Sequence, residues 1–390
     1  MIPFPLLSPT TGERLKSDTA HSLRDKASGQ RWPVVDGIPY LRIGREDLVN
    51  EVLALLDRGA PGRAVELLLA DQDDWWDGPR PDPAALHDLV RDQTYAPLRD
   101  VVDRLGWGRV GDYFLHRWTD PTFLAGLALL DAHWNAPKCA FEFACGIGHY
   151  MRELHLRGTR VAGADVVFAK LWVARHWVVG QNAQFVCFDA ASPHWPVPGA
   201  PADLVLCNDA FYFLDQKSEV LANLRRNAGE EGWLAFSHIH NSARPGYSAG
   251  RAMSADEIEE LFPDALVYDD AELTRSLVEA RAPGPAEPAS LGDAEAFSLV
   301  CGPGMRPAPR SCTHDLAVPE VGTRLRLNPL YKREDSGDYA IAWPSERYEA
   351  EYGPAATYPT RSPGPSHVVC GPDTVDRARR REFVSLPERW

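Results

Sequence analysis

Long apolar runs are missing from this sequence. None approaches the ~20 residues that a membrane-crossing helix needs. The opening MIPFPLLSPTTGERL has neither a basic start nor the apolar stretch of a secretion signal. A soluble, cytoplasmic protein with no membrane partner is expected. Cations are also short in supply: Lys and Arg total 41 against 55 Asp and Glu, a net charge of −14. Nucleic-acid binding relies on Lys and Arg to neutralise phosphates, and no basic stripe crosses the middle of the chain, so no nucleic-acid partner is expected. The one basic cluster, Arg377, Arg379, Arg380 and Arg381, reads as a solvated tail. Cysteine is limited to seven residues with no close pair. That pattern excludes a thiolate metal site and leaves Cys145, Cys187, Cys207 and Cys301 as small hydrophobes in strands or turns. No metal is expected.

What is present is a strand running into a glycine turn and then a helix, AFEFACGIGHY from Ala140 to Tyr150. Phe141 and Phe143 are apolar positions of a buried strand, and Glu142 is an acid near its carboxyl end. Ala144, Cys145, Gly146, Ile147 and Gly148 form a turn of small residues that lets backbone approach a ligand. MRELHLRG then opens a helix whose first amides face the same point. Four further apolar runs follow: RVAGADVV ending at Asp165, seventeen residues after Gly148; AQFVCFDA ending at Asp189; ADLVLCNDAF ending at Asn208 and Asp209; and GWLAFSHIHN ending at His238 and His240. Apolar strands that each finish in polar residues, with helix-length segments between them, describe an α/β fold. It is a doubly wound, mostly parallel sheet with its ligand crevice along the carboxyl edge.

This order resembles the class I S-adenosylmethionine-dependent methyltransferases over Leu124 to Pro303. The family's acid-x-Gly-x-Gly-x-Gly turn matches Glu142 to Gly148, with Ala144 in place of the first glycine. The substitution is mild if Ala144 has negative φ and serious if φ is positive. A nicotinamide or flavin enzyme would need Gly or Ala at the sixth position from Gly146, where Met151 stands. SADEIEELF, ALVYDD and AFSLVCGP resemble the family's final helix and reversed hairpin strand.

The resemblance implies S-adenosylmethionine as cofactor. It places Glu142 and the amides of Ala144 to Gly148, including Gly146, at the methionine end. Asp165, with Val166, falls at the ribose hydroxyls, and Asp189, with Phe188 and Ala190, at the adenine. Asn208 lies under the methionine portion. For Asp189 the alternative is a helix N-cap. Methyl transfer to a hydroxyl needs a base, and Asp209, Tyr212, His238 and His240 are the candidates. The histidines are two apart on an extended segment and so share one side of it, with Ile239 opposite. The fourth loop reads Asn208-Asp209-Ala210-Phe211. It lacks the paired prolines of the family's adenine- and glutamine-directed enzymes.

The expected reaction is therefore methylation of a hydroxyl, or of a nitrogen or carbon, on a polar small molecule such as a sugar or secondary metabolite. Two other readings stand beside it: non-methylating chemistry on the same fold, such as cyclisation or elimination, and a non-catalytic partner subunit.

Around the methyltransferase-like domain, 124–303, lie three other parts. Residues 1–44 form a small hairpin-rich module, since SGQRWPVVDGIPYLRIG pairs an apolar strand with an Asp-Gly turn. It resembles a zinc-ribbon-derived domain related to a tRNA methyltransferase activator. Ser8, Pro9, Thr10 and Thr11 stand where that family has Cys-Pro-x-Cys, so the metal is read as lost. Residues 45–123 read as helices with Gly or Pro between them, and PTFLAGLALLDAHW leads into the catalytic domain. Trp75 and Trp76 read as core or interface anchors. Tyr113, His116, Arg117 and Trp118 read as part of a lid. Residues 304–390 are rich in proline and aromatics and read as an extended arm that wraps the catalytic domain or a partner subunit, a homodimer included.

Overall fold

The computed structural model describes residues 5–197, 202–244, 246, 250–287, 290–313 and 316–390. The first four residues of the amino-terminal module lie outside these. Four short strands open the chain: β1 (Lys16–Thr19), β2 (Ser22–Arg24), β3 (Arg31–Val35) and β4 (Ile38–Pro39), paired in that order and antiparallel. Asp36 and Gly37 link the last two with φ of 51° and 73°. Two positive φ values are what a tight two-residue hairpin turn demands, and Asp-Gly supplies them. Thr11 and Ser28 donate hydroxyl bonds to Asp25 at 2.7 and 2.8 Å, and Ser8 bonds Thr10 at 3.0 Å. Hydrogen bonds thus tie together the segments that carry Ser8, Thr11 and Asp25.

Helices α1 (Glu46–Asp57), α2 (Pro61–Leu69), α3 (Pro83–Asp92), α4 (Leu98–Arg104), α5 (Arg109–His116) and α6 (Pro121–Ala132) follow. The main sheet then builds from β5 (Cys139–Phe143), α7 (His149–Leu156), β6 (Arg160–Asp165), α8 (Phe168–Val173), β7 (Gln184–Cys187), β8 (Leu204–Asn208), α9 (Lys217–Ala228) and β9 (Trp233–His240). It closes with α10 (Ala255–Leu261), β10 (Leu266–Asp269), α11 (Asp270–Val278) and β11 (Ala296–Cys301). Its order is β10-β11-β9-β8-β5-β6-β7. The pairs from β7 through to β9 are parallel, whereas β11 runs antiparallel to both neighbours. This is the expected doubly wound sheet, and β5 and β8, where the order reverses, bracket the crevice. One detail differs. The last two strands are separated by α11, so no tight hairpin joins them.

Met151 at the sixth position from Gly146 also has its reason here. A Cβ on Gly163 of β6 would lie 2.4 Å from the Met151 sulfur. The glycine that lets helix α7 approach the sheet sits on the neighbouring strand instead of in the turn.

The carboxyl-terminal part is more structured than an extended arm. It contains β12 (Arg324–Leu327), β13 (Tyr331–Arg333), β14 (Tyr339–Ile341), α12 (Glu346–Tyr352), β15 (Arg361–Ser362), β16 (His367–Val369), α13 (Val375–Arg379) and β17 (Phe383–Val384). The strands form two three-stranded sheets, β16-β12-β17 and β13-β14-β15. The end of the chain is fastened to the catalytic domain and to helix α5. Arg152 donates to the carbonyls of Ser385 and Leu386, and Trp390 donates its indole N–H to the Leu115 carbonyl at 3.1 Å. The arginine cluster is not a solvated tail: Arg377 pairs with Glu382, and Arg381 is buried. All seven cysteines are free. No helix among the described residues is long and apolar enough to cross a membrane.

Candidate active site

The carboxyl edge of the sheet opens into a cavity of 830 Å³. The turn after β5 forms its floor. Ala144, Gly146 and Gly148 hold φ of 55°, 55° and 82°, so Ala144 adopts the conformation that makes its substitution for glycine a strained one. The amides of this turn are largely engaged. Cys145 N donates to the Ala164 carbonyl, Gly148 N to the Cys145 carbonyl and Gly146 N to Asp165 Oδ2, each at 2.9 Å. Of the expected donors from Ala144 to Gly148, those of Ala144 and Ile147 remain, and of these two residues Ala144 lines the cavity while Ile147 is fully buried. Gly148 does not line the cavity. It starts α7, and a Cβ there would lie 2.6 Å from Val179.

Glu142 is buried, and burial pushes its carboxyl up to about 8. Asn208 donates to its Oε1 at 3.2 Å and in turn accepts from Ser237 at 2.9 Å. Glu142 Oε2 has no partner. A buried carboxylate oxygen without a partner, on a residue that lines the cavity, fits an incoming cation such as the ammonium of an amino acid.

Asp165 braces the turn through Gly146 and accepts from Val167 N at 3.0 Å, with Lys170 Nζ 3.5 Å away. Each carboxylate oxygen keeps a further lone pair for a diol. Val166, Phe188, Asp189 and Ala190 continue this wall. Asp189 also accepts from Ala191 N at 2.9 Å, but a turn and no helix follows it, so it is not a helix N-cap.

The helical segment supplies the roof. Trp75 is not a core anchor: it is 55% exposed and packs edge-on to Phe213 at 5.8 Å, whereas Trp76 packs against the core, and both residues line the cavity. Of the four lid residues, Tyr113 and Arg117 reach the cavity. His116 bonds the Asp112 carbonyl at 2.9 Å, and Trp118 packs on His149.

At the opposite end four polar groups converge. Asp209 accepts from Tyr212 at 2.6 Å and from Tyr113 at 2.8 Å, and pairs with fully buried Arg117 at 3.1 Å. Burial alone would raise its pKa, but the Arg117 charge prevails and holds it below the ordinary value. His238 and His240 lie beside it with ring centroids 4.6 Å apart. They do share the cavity side, but not by simple alternation. His238 has φ of 55°, and the β9–β11 register shifts between Phe297 opposite Ile239 and Leu299 opposite Phe236. A bulge re-aims His238.

Its Nδ1 lies 2.8 Å from Asp270 Oδ2. Ser298 locks the bulge from β11, accepting from His238 N at 3.1 Å and donating to Asp270 Oδ1 at 2.5 Å. Burial would lower the His238 pKa, but the Asp209 and Asp270 carboxylates outweigh it and raise it above 6.5. His240 goes the other way: burial and the neighbouring His238 push it down to about 4. Two adjacent imidazoles are thereby given opposite protonation tendencies.

Asp209, His238 and His240 also place one possible metal ligand each within 4.8 Å of one another, and they are the one such group among the described residues. Asp209 already has the Arg117 guanidinium as its counter-charge, so a divalent ion there would face a buried cation. The group is furnished for hydrogen bonding and proton transfer.

Sequence reasoning missed Asp270, Ser298 and the carboxyl-terminal wall of the cavity. Asp270 was visible only as the second acid of ALVYDD. The first, Asp269, caps α11 through Ala271 N at 2.9 Å, which leaves Asp270 to turn inward. The wall comes from α12, whose Tyr348, Glu351 and Tyr352 face the cavity.

Residues 141–236 match the family model described as a methyltransferase domain. Among solved structures the chain is similar to an S-adenosylmethionine-dependent methyltransferase from Mesorhizobium loti. Identity is 17%, coverage 46% of this chain and 96% of that one, and the TM-score 0.34. It is similar also to a TehB-like methyltransferase from Corynebacterium glutamicum (18% identity, 46% and 86% coverage, TM-score 0.34). A third is the complex of the Haloferax volcanii Trm112 methyltransferase activator with a putative methyltransferase (15% identity, 52% and 95% coverage, TM-score 0.37). No curated relative matches. The chain carries an S-adenosylmethionine-dependent methyltransferase domain, with S-adenosylmethionine as its cofactor.

Proposed function

We propose that this chain methylates a hydroxyl oxygen of a polar small molecule such as a sugar or secondary metabolite, with His238 taking the hydroxyl proton and Asp270 positioning His238. S-adenosylmethionine, when bound, supplies a methyl carbon already activated by a positive sulfur. The methionine end suits Glu142, whose unpartnered Oε2 can receive the ammonium, and Asp165 suits the ribose diol.

One observation carries the acceptor side: the 2.8 Å contact of His238 Nδ1 with Asp270 at the cavity end of β9. A carboxylate only accepts, so Nδ1 carries the proton, and Nε2 presents a lone pair to the cavity. As the acceptor oxygen bonds to the methyl carbon, its proton passes to His238 Nε2, and the electrons of the broken carbon–sulfur bond stay on sulfur. The raised His238 pKa makes the imidazole a stronger base and the two carboxylates stabilise the imidazolium that forms. Asp209, tied to Arg117, Tyr113 and Tyr212, supplies one of those charges from a fixed position. Tyr212 is a wall and a support for Asp209 in this scheme. Hydroxyl chemistry is favoured over nitrogen because an amine arriving unprotonated needs little base, and this site is built around one.

The test is kinetic. His238→Asn should lower turnover by about a hundredfold or more with cofactor affinity near normal. In the unmodified protein turnover should rise with pH as His238 loses its proton, with an inflection above the ordinary value of about 6.5. Asp270→Asn should move that inflection downward, a change that a purely structural role would not produce. Tight NADH binding with none for the sulfonium cofactor, or an unchanged rate in His238→Asn, would overturn the proposal.

A further inference from the structure

The proton positions at the two strand-end histidines define what the acceptor must look like, and this deduction rests on the reading of His238 as the base. His238 Nε2 is a lone pair, because Nδ1–H is committed to Asp270. His240 is arranged the other way round. Its Nδ1 is shielded from solvent and has no partner. An unpaired lone pair there is tolerable, whereas a buried N–H without an acceptor is rare. The ring is neutral, so its single proton sits on Nε2. Among the described residues neither Nε2 atom has a protein partner, and both rings line the cavity. The Tyr212 ring packs edge-on to His240 at 4.7 Å and steadies it, while the Tyr212 hydroxyl is fixed on Asp209. The site therefore offers one acceptor and one donor side by side, on rings whose centroids are 4.6 Å apart.

A lone hydroxyl satisfies only half of this arrangement. Its hydrogen goes to His238, one lone pair attacks the methyl carbon, and a hydrogen bond from His240 to the other would draw electron density from the attacking oxygen. His240 Nε2–H, which faces the cavity, would then be covered by the acceptor without gaining a partner, and a donor desolvated in that way is unfavourable. We propose that the acceptor is a vicinal diol: one hydroxyl donates to His238 and is methylated, and the oxygen on the neighbouring carbon accepts from His240. His240 is then a specificity-determining residue that touches substrate without taking part in proton transfer. The diol can belong to an aromatic or a saturated ring, since both present two oxygens on adjacent carbons.

The experiment uses the full chain saturated with S-adenosylhomocysteine and follows its tryptophan fluorescence. The probes are two pairs, catechol against phenol and cis-1,2-cyclohexanediol against cyclohexanol. In at least one pair the diol should bind about tenfold more tightly than its mono-alcohol, and the pair that shows this identifies the ring type. His240→Leu should bring that ratio to about one while cofactor affinity stays normal, which also reports that the variant folds. His240→Asn, which keeps an N–H donor, should retain part of the preference. Equal binding within both pairs, a preference that survives in His240→Leu, or no binding of any probe would overturn the proposal. Transfer of labelled methyl separates this from the function it rests on. Diol preference without transfer would defeat the base assignment alone, and equal methylation of diols and mono-alcohols would defeat the vicinal requirement alone.

Discussion

Ala144 is the residue where the sequence pattern and the backbone disagree most. It stands in a left-handed conformation, φ 55°, at a position that glycine would occupy without strain. A side chain in that region costs about 1–2 kcal/mol, and glycine's greater freedom in the unfolded chain offsets roughly 0.5–1 of that. Ala144→Gly should therefore raise the unfolding free energy by up to about 1 kcal/mol, measured by denaturant titration, with cofactor affinity preserved. A clear loss of stability would show that the Ala144 methyl makes packing contacts worth more than the strain. Gly146 is the converse case. A Cβ there would sit 3.2 Å from the Phe114 ring at a φ of 55°, so Gly146→Val should displace the turn that positions Asp165. Calorimetry should show cofactor binding lost, and unchanged affinity would mean that the turn is not the binding floor. At this scale much of the site was legible. Glu142, Asp165, Asn208, Asp209 and both histidines end apolar strands, and a polar residue ending a buried strand has to face the crevice. The sign of φ at Ala144 and His238 was not legible, since it comes from the bulge and from neighbours distant in sequence.

The elements divide along the same line. Strands β5 to β9 were readable because runs buried on both faces leave continuous apolar segments. Helix α11 was not, as its buried face mixes Leu273 and Leu277 with Thr274 and Ser276. Helix α4 has only seven residues, too few to establish a period. The carboxyl-terminal part reads as extended because its strands are two to four residues long and, except for β13 with β14, their partners lie far along the chain. Its helix α12 nevertheless completes the cavity. Ser345 caps it by accepting from Tyr348 N at 3.1 Å, and the Tyr348 hydroxyl bonds buried Asp120 just before α6. Tyr352 lies near enough to Asp209 to feel its charge, which puts this helix on the acceptor side of the cavity. Tyr348→Phe should accordingly raise the KM for acceptor several-fold while the Kd for S-adenosylmethionine stays within about twofold. Steady-state kinetics beside calorimetry will separate the two, and a larger effect on cofactor than on acceptor would remove α12 from the acceptor wall.

For the molecule as a whole, the net charge of −14 says little about how stability depends on pH, because groups exposed in both states titrate alike. The buried groups decide it. His116, His149 and His240 have folded pKa values pushed down by burial, to about 4, 3 and 4. Below the ordinary histidine value of about 6.5 the unfolded chain takes up protons that these sites refuse, so their contribution is lost as pH falls from there toward 4. Glu142 and Asp120 shift the opposite way, raised by burial to about 8 and about 7. The folded state holds their protons where the unfolded state has released them, so their contribution is lost as pH rises through those values. His238, raised by Asp209 and Asp270 against the pull of burial, loses its contribution on the same alkaline side. Between pH 4.5 and 6.5 the two trends oppose one another. Above about 6.5 only the second remains, so the melting temperature without cofactor should fall between pH 6.5 and 8. Glu142→Gln should flatten part of that fall, since an amide has no proton to lose. The cofactor should flatten it too, because an ammonium beside Glu142 Oε2 gives the carboxylate the partner that it lacks. Thermal denaturation at constant ionic strength, with and without S-adenosylmethionine, provides the check. A melting temperature that rises across this window, or cofactor stabilisation that shrinks with pH, would show that Glu142 does not receive the ammonium.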